Sequence, residues 1–148
     1  MEPKKVFYDY LMSFVHTPYS YGGDDFSGLD CSGFVILALQ SVGVFPYKKD
    51  VTAQGLYDHF QNQHQRAIAD FGTLMFYGNS EREINHVNIA LNYTQLIGAE
   101  GGGSLVKTRE DAVKANAFVK VLPIGFRGVP VAMVLPQYPW RGPNDLVG

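Results

Sequence analysis

Residues 30–42 read Asp-Cys-Ser-Gly-Phe-Val-Ile-Leu-Ala-Leu-Gln-Ser-Val, and Gly43 follows. From Phe34 to Leu39 every side chain is apolar, so a helix starting near Cys31 has no wet face over its middle turns. A helix that is apolar all round is a buried helix. Gly43 suits the left-handed residue that ends such a helix, giving a span of about Cys31 to Val42. The polar N-terminal end, Asp30-Cys31-Ser32, then lies inside the fold or at the floor of a cleft.

Working outward, Val6 to His16 carries Val6, Phe7, Tyr10, Leu11 and Phe14 at helical spacing. Pro18 closes that segment, because the residue before a proline is pushed out of the helical region. Tyr19 to Asp30 is a loop rich in Gly, Asp and Ser. Thr52 to about Gln63 reads as a third helix with Thr52 or Asp50 as N-cap. After Gly72 the pattern shortens to strands: Thr73–Tyr77, His86–Leu91, Gln95–Ala99, Leu105–Thr108, Phe118–Leu122 and Val131–Leu135. Asn92 to Thr94 forms a tight hairpin turn. Glu110 to Asn116 is a short helical excursion, and the Pro- and Gly-rich tail from Pro136 reads as irregular coil. Helices first and strands afterwards describe an α+β fold. With 148 residues, 46% hydrophobic and 18% charged, the chain fits a single domain over residues 1–148.

Several function classes lose support at once. A formal net charge of -2 provides no global basic field for nucleic acid. No apolar run approaches the roughly 18 residues of a membrane span, so no membrane insertion is expected. One cysteine allows neither an internal disulfide nor a Cys-rich zinc site. No P-loop, GxGxxG or His-Glu-x-x-His motif occurs, so neither cofactor nor metal is expected. The opening MEPKKVFYDYLMSFV has no uninterrupted apolar core or small-residue cleavage site. The expectation is synthesis in the cytoplasm without a signal peptide.

A free cysteine is commonly a small buried hydrophobe. Cys31, however, occupies the first turn of a helix, where unsatisfied N–H groups and the dipole favour the thiolate. A thiolate nucleophile needs an imidazole partner. His16 precedes a helix-breaking Thr-Pro and reads as surface; His59 and His64 sit on or after a polar helical stretch and read as solvated. His86 opens the apolar strand HVNIAL. On that strand His86, Asn88 and Ala90 share one face, and Val87, Ile89 and Leu91 the other. His86 is therefore the candidate base, with a satisfied structural histidine as the alternative.

The run Tyr19-Ser20-Tyr21-Gly22-Gly23, followed by Leu29-Asp30-Cys31-Ser32-Gly33-Phe34-Val35, resembles the NlpC/P60 pattern around its nucleophile. Gly72-Thr-Leu-Met-Phe-Tyr-Gly78 and His86-Val-Asn-Ile-Ala-Leu91 are similar to two of that family's strands, in the family's order. The resemblance implies a papain-like core with the nucleophile helix packed on an antiparallel sheet. It further implies hydrolysis of amides in peptidoglycan stem peptides by a Cys31–His86 pair. Tyr19 falls on the tyrosine that lines the site and helps polarise the oxyanion; Asp30 and Ser32 fall on positions that help hold a free substrate amine.

Two positions depart from the pattern. The family places a third polar residue, most often His, where a gapless reading puts Gly98. Glu100, two residues on, shares that face of an extended strand and is the candidate for orienting His86; otherwise it belongs to the Glu-Gly-Gly-Gly loop and is solvated. Asn88 replaces a glycine. A non-catalytic module that binds wall peptide or serves structurally in a particle is the alternative function, as is another Cys–His amidase or acyltransferase. A wall substrate implies action in the periplasm or cell wall, reached through lysis, a phage particle or a secretion device as partner.

Overall fold

The computed structural model describes residues 2–25, 28–47 and 49–140. In chain order it contains α1 (Pro3–Ser13), β1 (Asp24–Asp25), β2 (Gly28–Leu29), α2 (Cys31–Ser41), α3 (Ala53–Phe60), β3 (His64–Gln65), β4 (Leu74–Gly78), β5 (Ile84–Ala90), β6 (Gln95–Glu100), α4 (Arg109–Ala115), β7 (Phe118–Pro123) and β8 (Ala132–Leu135). The fold is α+β. Six strands form one antiparallel sheet in the order β3-β8-β4-β5-β6-β7, and β1 pairs with β2 apart from it.

Helix α2 is the centre of the fold. Phe34, Val35, Ala38 and Leu39 are fully buried, and the helix packs against α1, β5 and β6. Asp30 caps it: its Oδ1 accepts from the Gly33 N–H at 2.6 Å. Such a cap contributes about 1 kcal/mol by satisfying an orphan donor of the first turn. Thr52 caps α3 in the same way, its Oγ1 accepting from Gly55 N–H at 3.1 Å. The aromatic rings of Phe7, Phe71, Tyr138 and Trp140 pack together at the far end of α1. The tail is therefore packed as far as Trp140, and residues 141–148 of the expected coil lie outside the described residues.

Three expectations need correcting. Leu105–Thr108 is loop, because Leu105 is 86% exposed and the backbone turns back on itself through Val106 N–H to Gly103 O. Helix α1 starts at Pro3 and ends at Ser13, not at His16, which takes a left-handed backbone with φ of 77°. The stretch from Tyr19 to Asp30 is not all loop, since β1 and β2 lie in it. Pairings only two residues long have no periodicity to read.

Candidate active site

The first turn of α2 brings Cys31 to the wall of a cleft of about 540 Å³. The lining includes Tyr19, Tyr21, Asp30, Ser32, Asp50, Ile84 and Asn85. Cys31 is half-buried, and its Sγ lies 4.0 Å from Asn85 O. A concavity of about 630 Å³ lies elsewhere, between α1 and the β5–β6 turn, lined by Tyr8, Phe71, Leu91 and Tyr93 among others. It holds neither a thiol nor an imidazole, so size alone does not locate the chemistry.

His86 reaches this site from β5. Its cross-strand neighbour is Tyr77 on β4, and between them and Gly78–Ile84 the register slips. Such a bulge re-aims the side chains beside it. The His86 side chain is 9% exposed. Nε2 meets Glu100 Oε1 at 2.8 Å and Asn88 Oδ1 at 2.9 Å. Two acceptors on one nitrogen assign a proton to Nε2 and leave Nδ1 as the nitrogen free to exchange one. Burial opposes charge on the ring, yet hydrogen bonds and Coulombic attraction from Cys31 and Glu100 outweigh it, and the pKa is pushed up to about 9.

Glu100 is 2% exposed and belongs to β6 itself. Pairing of Glu100 with Phe118 carries the strand one residue further than Ala99, where the sequence pattern ends it. Its Oε1 also accepts from Asn88 Nδ2 at 2.9 Å, and its Oε2 from Arg127 Nη1 at 2.9 Å. Burial acts to protonate the carboxyl, but the hydrogen bond and charge of His86, the Asn88 amide and the Arg127 charge hold it below the ordinary range. The alternative of a solvated loop carboxylate does not apply.

Gly98 bears no side chain because Asn88 occupies its space: a Cβ there would collide with Asn88 Oδ1. Gly102 likewise lets the loop after β6 lie flat on the Tyr19 ring, where a Cβ would strike the ring carbons. Tyr19 is buried, and its hydroxyl pKa is pushed up to about 12, first by burial and then by Cys31 and Asp30. It therefore keeps its proton and remains a donor at neutral pH.

Asp30 and Ser32 stand beside Cys31, but both are engaged within the protein. Asp30 Oδ1 accepts from Gly33 N–H and from Ser32 Oγ at 3.3 Å, and Oδ2 from Gly22 N–H at 3.1 Å. Burial raises the Asp30 pKa, and those three hydrogen bonds lower it. Asp50, which sequence reasoning considered only as a cap, adds a second carboxylate to the lining. Among the described residues no Lys or Arg lines this cleft.

The remaining histidines stay apart. His16 and His59 are exposed, and His64 meets Arg66 Nη1 at 3.2 Å. Sequence reasoning missed Arg127, which sits in a Gly- and Pro-containing turn with no local signal. It also left Asn88 and Gly98 as separate departures, although a polar residue gained on one strand and lost on the next is a readable sign of exchange.

A family model described as the NlpC/P60 family matches residues 16–122. Among solved structures, the chain is similar to the NlpC/p60 domain of the peptidoglycan hydrolase SagA, with 24% identity and a TM-score of 0.63, covering 90% of this chain and 98% of that one. It is similar to an NlpC/P60 family protein from Bacillus cereus, with 17% identity and a TM-score of 0.67, covering 93% of this chain but 40% of that one. It also resembles the peptidoglycan hydrolase RipB from Mycobacterium tuberculosis, with 24% identity and a TM-score of 0.63, covering 91% and 67%. Cys31, His86 and Glu100 fall inside the matched residues, and Arg127 beyond them.

Proposed function

The chain belongs to the NlpC/P60 family, and on that premise we propose that it is a cysteine peptidase that hydrolyses amide bonds in peptidoglycan stem peptides. The observation that carries this reading is Cys31 at the wall of an open cleft, with His86 near enough for the thiol to raise its pKa and with Glu100 hydrogen-bonded to the imidazole. In the proposed reaction His86 Nδ1 takes the thiol proton and the Cys31 thiolate attacks the scissile carbonyl. Backbone N–H groups of the first turn of α2, together with the Tyr19 hydroxyl, receive the developing oxyanion. The imidazolium then returns its proton to the leaving amine, and an acyl group stays on sulfur. Water, deprotonated by His86, releases the acid and restores the thiol.

Glu100 acts through His86, holding the ring by Nε2 and stabilising its positive charge. Asp30 with Ser32, and Asp50 across the cleft, give the lining a negative character that suits a substrate ammonium group. A wall substrate puts the site of action in the periplasm or cell wall, with lysis, a phage particle or a secretion device as the route there.

Purified peptidoglycan incubated with the protein should release stem-peptide fragments identifiable by mass spectrometry. Cys31→Ala should bring release to background while melting at the wild-type temperature, since a small side chain replaces a small one. Fragment release undiminished in Cys31→Ala would remove the nucleophile. No release by the wild type, with fragments retained on the protein, would favour a binding module instead.

A further inference from the structure

We infer that Arg127, on the turn between β7 and β8, is a positioning residue for the Cys31–His86 pair: with Asn88 it anchors the Glu100 carboxylate that holds the imidazole. The inference rests on the peptidase reading for its kinetic consequences, and on geometry alone for the anchor itself.

The need for Arg127 follows from burial. A carboxylate 2% exposed to solvent is retained as an anion only when both oxygens are compensated. Oε1 faces His86 and Asn88, and Oε2 faces Arg127. His86 cannot be the permanent counter-charge, because a general base is neutral in part of its cycle. Asn88 offers only a dipole. Arg127 keeps its charge at every working pH, so Glu100 remains ionised and in place while the imidazole gains and loses its proton.

The guanidinium is itself held. It lies 5.5 Å from the centroid of the Tyr77 ring, and that ring lies 6.0 Å from the His86 ring. Tyr77 thus forms a shelf shared by the anchor and the base. The turn that carries Arg127 is closed by Phe126 N–H to Pro123 O and Gly128 N–H to Gly125 O. Asn88 fills the space that Gly98 leaves open, so the carboxylate is gripped from the side by β5 and from its far end by the turn. The titratable and charged groups around Glu100 and His86 are Cys31 from α2, Tyr77 from β4, Arg127 from the turn, and Lys120, which is paired with Gly98 on the adjoining β7.

The test uses the full chain, Arg127→Gln and Arg127→Lys, and two readouts. The first is the His86 midpoint, followed by NMR on protein with labelled histidine, which needs no activity. Loss of the anchor should let the carboxylate swing away and lower that midpoint by about one unit in the Gln variant. A midpoint that rises, as it would if Arg127 merely screened Glu100, or one that stays put overturns the inference. The second is the pH profile of kcat and KM on a soluble stem peptide. The Gln variant should lose roughly 10- to 100-fold in kcat with little change in KM, and its acidic limb should move to lower pH with the His86 midpoint. The Lys variant, which keeps the charge, should retain the wild-type acidic limb and recover much of kcat. Wild-type kcat in the Gln variant overturns the inference, as does a loss of kcat with an unmoved limb and no recovery by Lys. If the Gln variant does not fold, Arg127→Met, which also removes the charge but keeps the hydrocarbon stem, decides by the same readouts: a lowered midpoint with lowered kcat supports the anchor, and wild-type values for both overturn it. A wild type that cleaves no wall peptide would end the peptidase reading, while the His86 midpoint would still judge the anchor.

Discussion

Neighbouring residues of β5 obey two different sets of rules. Val87 and Ile89 enter the larger apolar core beneath α2, where they meet other hydrocarbon side chains. His86, Asn88 and Ala90 alternate with them, and Ala90 belongs to a smaller cluster with Met75, Tyr77 and Leu96. On the first face the requirement is volume, and several residues can meet it. On the second face each donor must find its acceptor, and a partly satisfied set costs more than an apolar one. One strand therefore carries an apolar core face on one side and the proposed base on the other.

The widest break between the two faces should come from two alanine substitutions. Ile89→Ala should cost about 2–5 kcal/mol of unfolding free energy, because Ile89 is fully buried. Its kcat, measured where the variant is still folded, should stay near wild type. Glu100→Ala should do the reverse, lowering kcat by roughly ten- to a thousand-fold with little change in KM. Denaturant titration beside steady-state kinetics on a soluble stem peptide checks both. Equal loss of stability and kcat in each variant would erase the division.

A second contrast lies in pH. The folded His86 pKa, about 9, stands above its ordinary 6.5. Its stabilising contribution is therefore complete below about pH 6.5 and is lost as pH rises towards 9. Glu100 is shifted downward from 4.5, so its contribution is present above that pH and is lost as pH falls through its folded value. Thermal unfolding against pH should show both limbs. Ile89→Ala should lower the curve without reshaping it, whereas Glu100→Gln should flatten the limb between pH 6.5 and 9. A limb of undiminished steepness in Glu100→Gln would detach the carboxylate from the histidine.

The finest probe is Ile89→Val, which removes one methylene from the apolar face. It should cost about 1 kcal/mol and leave the His86 titration unmoved. A shifted His86 midpoint in that variant would mean the two faces are coupled through the strand.

Local pattern carried much of this protein into view. Phe34 to Leu39 announced a buried helix, Thr52 was one of two residues offered as the cap of α3, and the strands after Gly72 were mostly legible by alternation. Cys31 and His86 stood out because a helix start and an alternating apolar strand give their side chains defined surroundings, although β5 begins two residues before His86. These are short-range properties, set by residues within a turn or two.

What only the tertiary structure decided is which separate segments meet. Glu100 could be read as strand or as loop until its pairing with Phe118 extended β6 and buried the carboxylate. Leu105–Thr108 had the composition of a strand, but it meets the chain beside it through single bonds such as Tyr21 N–H to Val106 O, and not through a ladder. Asn88 and Gly98 become one feature only when β5 and β6 lie side by side and the amide fills the space above the glycine. Arg127 reaches Glu100 across 27 residues of sequence, from a turn whose composition says nothing about charge pairing. Helical and strand periods report how a segment faces its own surroundings. The compensation of a buried charge depends on a long-range contact, and that exists only once the sheet has closed.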